Sequence, residues 1–243
     1  MRAWQLRRRA PGWPAFRTLF WWTFIAFGIR LGAFVLYRLR VFGLEHLPRD
    51  RPVMLVSNHQ SHLDPPLIGA VASDRPMAPI ARVGLFSFRP LAWMLRSIGV
   101  IAISQDRGDH AAFRAALAEL EAGRNVLIFP EGSRTADGAV APFMRGVIVL
   151  LKRARVPVVP VAVEGAFDVW PRAWTLPRLS GRIAISLGSA IECEALLAGG
   201  PEAGLERLHS EIDGMRGLLR RLMRVQSRGR YPARSGADGG ALT

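Results

Sequence analysis

A chain of 243 residues, half of them apolar, can bury a real core as one large or two small domains. A mean hydropathy of +0.17 is far short of a polytopic membrane protein, and the single cysteine, Cys193, excludes an intramolecular disulfide and a cysteine-built zinc cage. The formal charge of +14 is almost wholly arginine, with Lys152 the only lysine among 33 basic residues, and it points to nucleic acid or acidic lipid.

Residues 1–40 concentrate that charge: Arg2, Arg7, Arg8, Arg9, Arg17, Arg30, Arg38 and Arg40 stand there without one acid. The aromatic run Phe20-Trp21-Trp22, set in apolar sequence, favours lipid, because tryptophan settles at the headgroup level. Leu19 to Tyr37 is apolar or small except for Thr23 and Arg30. As a helix it would reach roughly 28 Å, just enough to cross the hydrocarbon core. Arg30 near its middle would cost about 2.5–3.5 kcal/mol there, and arginines at both ends give no orienting asymmetry. A helix or helical hairpin lying in one leaflet fits better than a span. No small-residue cleavage site follows the run, which argues against a signal peptide.

From Val41 the pattern changes to short apolar runs alternating with helical stretches. Val53–Val56, Val100–Ile103, Asn125–Phe129 and Val158–Val163 read as buried strands, with Met77–Ala81 and Arg182–Leu187 as weaker ones. Asp109–Ala122 and Gly146–Ala154 read as helices. The prolines bordering Val156–Val161 suggest an edge strand, able to wall an acyl channel but better suited to core packing. Residues 201–225 predict an amphipathic helix with Leu205, Leu208, Ile212, Met215, Leu218, Leu219 and Leu222 on its apolar side. Beyond Gln226 the Gly-, Arg- and Ser-rich tail has little to bury and is expected to be disordered. The expectation is an α/β fold with a largely parallel mixed sheet flanked by helices. Its organisation is a membrane-binding helical segment at 1–40, the α/β domain at 41–225 and a basic tail at 226–243.

Ligands of such sheets gather beyond the carboxyl ends of strands, and two chemical motifs fall there. Asn58-His59-Gln60-Ser61-His62-Leu63-Asp64 follows Val56 and offers a base and a carboxylate five residues apart. In one helix that offset would separate them by about 140°. The following Pro65-Pro66 instead suggests a turn carrying His59 that ends with Asp64 as the N-cap of a helix. A turn can fold the two together, the carboxylate fixing the imidazole tautomer, while the missing serine suggests direct attack by a substrate hydroxyl. Taken alone, the pair reads as readily as loop and capping contacts, and His62 reads as structural. Phe129-Pro130-Glu131-Gly132-Ser133-Arg134 follows the next strand. Gly132 allows close main-chain approach, while Ser133 and Arg134 offer a hydroxyl and a guanidinium fork suited to phosphate. Glu131 would accept a substrate hydroxyl or orient an arginine. Arg107 is a second candidate for an acidic headgroup, and Arg145 and Lys152 read as ordinary surface.

With these residues in order, roughly 40–190 resembles the glycerolipid acyltransferases typified by 1-acylglycerol-3-phosphate O-acyltransferase. Asn58-His59 and Asp64 match its N-H-x-x-x-x-D motif, Phe129–Arg134 its F-P-E-G-[ST]-R, and Val156–Val161 its V-P-V-x-P-V strand. Gly99-Val100-Ile101 opens the second motif, although Arg107 comes a residue or two later than the family pattern. The resemblance implies transfer of a fatty acyl group from acyl-CoA or acyl-carrier protein to lysophosphatidate, making phosphatidate. His59 would be the general base and Asp64 its partner, with Arg107, Glu131, Gly132, Ser133 and Arg134 binding the substrate. It implies no metal, no cofactor beyond the acyl donor and no covalent intermediate. It places the protein on the cytoplasmic face of the inner membrane, against an anionic surface and without nucleic acid. The alternatives are the same chemistry on a lyso-ornithine lipid or lysophospholipid, or a noncatalytic basic protein that binds membrane or nucleic acid.

Overall fold

The computed structural model describes residues 16–73, 77–82, 87, 89, 92–93, 101–103, 109–233 and 238, of which 16–22, 78–82, 101–103 and 109–112 are described by backbone alone. Arg107 lies outside these residues. The chain opens with helix α1 (Phe16–Tyr37) and strand β1 (Arg40–Phe42), followed by β2 (Met54–Ser57), α2 (Asp64–Val71), β3 (Met77–Arg82) and β4 (Ile101–Ile103). Next come α3 (Asp109–Glu121), β5 (Asn125–Ile128), α4 (Val147–Ala154), β6 (Val158–Glu164) and α5 (Ala166–Val169). Strand β7 (Ala184–Leu187), α6 (Cys193–Leu197) and the long α7 (Pro201–Ser227) complete the described elements.

Among the described residues, seven strands form one sheet in the order β1-β7-β6-β2-β5-β3-β4. Every neighbouring pair is parallel except β6 and β7, so the sheet is mixed as the alternating pattern predicts. Period-two alternation sorts the core into two layers. Leu55, Leu127, Val159, Val161 and Ile185 face α1 and α2, packing on Ala33, Tyr37, Leu67 and Ile68. Met54, Val56, Val126 and Val158 face the other way onto Ala116, Leu120, Leu150, Leu151, Leu208 and Ile212 of the opposite helices.

Three expectations need correcting. The Val156–Val161 segment is not at an edge: β6 lies between β7 and β2 and is buried throughout. The β7 ladder starts at Val161↔Leu187, so the donor that Pro160 lacks falls at the ladder's margin, where its carbonyl accepts from Gly188 N–H at 2.8 Å. The inward face of α7 is not wholly apolar. It runs Leu205, Leu208, Ile212, Arg216, Leu219, Arg220, Met223, while Leu218 and Leu222 are exposed. The chain past Gln226 does not leave the fold at once. Tyr231 donates its hydroxyl to Gly165 O (3.0 Å), and Ala233 N–H donates to Asp168 Oδ1 (2.9 Å).

Helix α1 packs on α2 through a stripe of Ala26, Ala33 and Tyr37, the small residues allowing close approach. Its opposite face carries exposed Phe24, Phe27, Leu31, Phe34 and Val35, and Arg30 Nη1 reaches Ser73 Oγ at 3.4 Å. Among the described residues, no helix is long and apolar enough to cross a membrane.

Candidate active site

Register brings the two motifs together. Strands β2 and β5 pair in parallel with Val56 opposite Ile128, so the residues three beyond each, His59 and Glu131, are neighbours. Asn58 fixes the exit from β2. Its buried side-chain amide donates Nδ2 to Val163 O (2.9 Å) and accepts Val163 N–H on Oδ1 (2.8 Å), extending the pairing with β6 past the last strand residue. The chain can then turn without orphaning the β6 backbone.

In that turn His59 Nδ1 lies 2.9 Å from Asp64 Oδ2. The same oxygen accepts Gln60 N–H at 2.6 Å and Ser61 N–H at 2.7 Å, and Asp64 is fully buried. Asp64 is therefore no N-cap. It is the first residue of α2, preceded by Leu63 at the cap, and its carboxylate reaches back into the turn. Pro65 and Pro66 carry no N–H to offer it, and Leu67 N–H is taken by Leu63 O at 3.0 Å. With Nδ1 held by the carboxylate, Nε2 is the nitrogen left for a substrate. Phe129 supports the imidazole from below, the rings stacked with centroids 4.0 Å apart.

Glu131 braces the turn from the β5 side. Oε1 accepts His59 N–H at 2.7 Å and Oε2 accepts Ala141 N–H at 3.0 Å. Burial pushes its carboxyl up to about 7, against the two N–H donors, which favour the ionised form. Gly132 turns the chain at φ +69°, and a Cβ there would sit 2.3 Å from Met144 Sδ, so only glycine fits without displacement. Thr135 N–H donates to His59 O (2.8 Å), which places Arg134 beside the turn that carries His59. Arg134 Nη1 is buried without a hydrogen-bond partner. Burial, with the Arg172 charge nearby, pushes the guanidinium below its usual range. A buried, unsatisfied guanidinium nitrogen and a second arginine suit an anion. Ser133 is exposed at the same turn. His62 is exposed and stands edge-on to Trp170 with centroids 5.2 Å apart; burial of part of the ring, then Arg134, lowers its pKa.

Behind this turn lies a charged network that the sequence reading missed. Gln60 Nε2 donates to Glu164 Oε2 (3.1 Å), and Glu164 Oε1 accepts Arg220 Nη1 at 2.5 Å, with Arg216 Nη1 3.6 Å from Oε2. Glu164, Arg216 and Arg220 are 1–3% exposed. Asp213 pairs with Arg216, and Asp238 with Arg220 and Arg224. The i, i+4 series Leu208, Ile212, Arg216, Arg220 carried the signal, because it extends the buried face straight into two arginines. Among the described residues, no group of three His, Cys, Asp or Glu could hold a metal ion.

The chain is similar to several proteins of known activity. A chloroplastic 1-acyl-sn-glycerol-3-phosphate acyltransferase of Brassica napus is 30% identical over 138 residues, 56% of this chain and 40% of its own length. The chain thus spans about two fifths of that relative. A lyso-ornithine lipid O-acyltransferase of Pseudomonas aeruginosa is 33% identical over 177 residues, 70% of this chain and 64% of that one. The crystal structure of the 1-acyl-sn-glycerophosphate (LPA) acyltransferase from Thermotoga maritima shares the fold, with a TM-score of 0.68 at 24% identity over 84% of this chain and 81% of that one. The Acyltransferase family model matches residues 38–164, just over half of the sequence, and the chain belongs to that family.

Proposed function

We propose that the protein transfers a fatty acyl group from acyl-CoA or acyl-carrier protein to the free hydroxyl of lysophosphatidate, making phosphatidate. The observation that carries this reading is the His59–Asp64 couple beside Arg134, whose buried Nη1 awaits an anionic oxygen. His59 Nε2 takes the proton of the acceptor hydroxyl as its oxygen attacks the thioester carbonyl carbon. The resulting imidazolium is held by Asp64 Oδ2. The C–S bond then breaks, and the imidazolium returns its proton to the departing thiolate, leaving an ester and a free thiol. No acyl-enzyme is required. Arg134, with Gly132 and Ser133, receives the phosphate, Arg107 being a further candidate. Glu131 acts by fixing the main chain of His59.

In this reading residues 1–40 bind the membrane, 41–225 form the acyltransferase domain and 226–243 the basic tail. The exposed apolar face of α1 lies in the cytoplasmic leaflet of the inner membrane, and the surface charge suits acidic lipid rather than nucleic acid. A second reading keeps the chemistry and changes the acceptor to a lyso-ornithine lipid. The Pseudomonas relative, matched over the larger share of this chain, favours it. Purified protein offered lysophosphatidate, lyso-ornithine lipid and lysophospholipids with each thioester donor, and its products identified by mass spectrometry, separates the two. Turnover of lysophosphatidate is expected; exclusive turnover of lyso-ornithine lipid selects the second reading, and turnover of no acceptor refutes both.

A further inference from the structure

The segment between α5 and β7 combines order with apolar exposure. Trp170 Nε1 donates to Trp174 O (3.0 Å), Trp174 N–H to Pro171 O (3.1 Å) and Arg178 N–H to Val169 O (2.9 Å), closing residues 169–178 into a compact loop. The Arg178 guanidinium lies 4.6 Å from the centre of the Trp174 ring, a cation–π contact that stiffens the tip. This pinned loop nevertheless leaves Leu176 76% and Leu179 74% exposed, with Trp174 beside them at 41%. Such a tip has no reason to hold two leucines in water. Arg172, Arg178 and Arg182 rim it, and no acid occurs between Asp168 and Glu192.

Two connections tie the loop to the rest of the molecule. Trp170 O accepts the hydroxyl of Ser61 at 3.0 Å, and the Trp170 ring meets His62, so the loop's base is joined to the catalytic turn. Gly181 N–H donates to Leu36 O at 3.1 Å, so its far end rests on the last turn of α1, next to the exposed Phe34 and Val35.

We infer that residues 170–182 are a second membrane-inserting element, entering the headgroup layer of an anionic bilayer beside α1 and holding the catalytic turn against the lipid surface. The inference extends the membrane reading of α1 proposed above. The occupant is a bilayer rather than a protein because the tip has the interfacial pattern: tryptophan and leucines rimmed by arginines, without a counter-charge. It is also continuous with an apolar helix face. Insertion would let the acceptor lipid pass from the leaflet to His59 without leaving the interface.

The test is partitioning of the full chain onto vesicles of equal parts phosphatidylcholine and phosphatidylglycerol. Introducing L176D and L179D together is expected to weaken partitioning roughly tenfold or more, while the rate on a short-chain lysophosphatidate below its micelle threshold is unchanged. Unchanged partitioning overturns the inference. A second readout needs no loss of binding. An environment-sensitive fluorophore on L176C reports the tip selectively, since the native Cys193 is buried and burial pushes its thiol up to about 11. A blue shift on adding the vesicles supports insertion, and none overturns it. If the double variant instead converts a dimer to a monomer and binds vesicles normally, the loop is a protein interface and the inference fails. Weakened partitioning in a protein that acylates no lysolipid supports the inserted loop and refutes the proposed reaction, so the two can fail separately.

Discussion

Asp64 Oδ2 collects three donors, His59 Nδ1 and the N–H groups of Gln60 and Ser61. One oxygen thereby fixes both the imidazole and the turn that carries it. Replacing His59 by alanine removes the proposed base, so kcat should fall roughly 10²–10⁴-fold with lipid binding retained. Near-normal rates in that variant, measured with saturating acceptor, would remove His59 from the reaction. Asp64→Asn presents an amide in place of the carboxylate. It can no longer stabilise the imidazolium, and a comparable loss of kcat is expected with little change in KM.

Glu131 gives a prediction of a different kind. Its pKa rises from an ordinary carboxylate value of 4.5 to about 7 on folding, so between those limits the native state holds a proton that the unfolded chain has released. Native stability contributed by this group therefore falls as pH rises from about 4.5 to about 7 and is level above that. Glu131→Gln, which cannot titrate, should flatten that part of the profile in denaturant titrations across the window. An unchanged slope would show that the carboxyl titrates normally in the fold.

At the scale of elements, the site depends on where β2, β5 and β6 end and on what α7 places behind them. Arg220 and Glu164 are a buried ion pair, and removing Arg220 leaves Glu164 only the longer contact with Arg216. Arg220→Met should cost about 3–5 kcal/mol, and pairing it with Glu164→Gln, which drops the charge but keeps an acceptor for Gln60 and Arg216, should recover part of the loss. Equilibrium unfolding of both variants checks this. Because Gln60 is bonded to Glu164, the single variant should also slow turnover by loosening the residue next to His59. The same network explains why leucine periodicity describes only part of the buried face of α7. A periodicity of leucines marks a buried face, but an arginine on that face reads as solvated until its partner, brought from β6, is known. Asn58 was likewise visible as a motif residue, although its task depends on a strand more than a hundred positions away.

At the scale of the whole molecule, charge and apolar surface should act together at the membrane. Partitioning onto anionic vesicles should weaken as salt rises toward about 1 M, where screening acts within ~3 Å, yet leave a salt-resistant fraction held by apolar insertion. Co-sedimentation across a salt series reads this directly. Complete release at high salt would mean that attachment is electrostatic alone.

Local chemistry settled the alternation of strands and helices, the α1 helix, and the two motifs at strand ends, because hydrophobic period, proline and glycine act over a few neighbouring residues. The α/β class and the placing of His59 and Asp64 in one turn were therefore legible in the residues themselves, while the contact between the two side chains stayed one of two readings. The folded chain was needed to show that Asp64 reaches back instead of capping, that β6 is interior, and that two arginines of α7 are buried. The last two turn on partners distant in the chain, neighbouring strands and a counter-ion from β6, whereas Asp64 takes donors three to five residues away, in a turn whose shape is pinned from β5 and β6 by Glu131 and Val163.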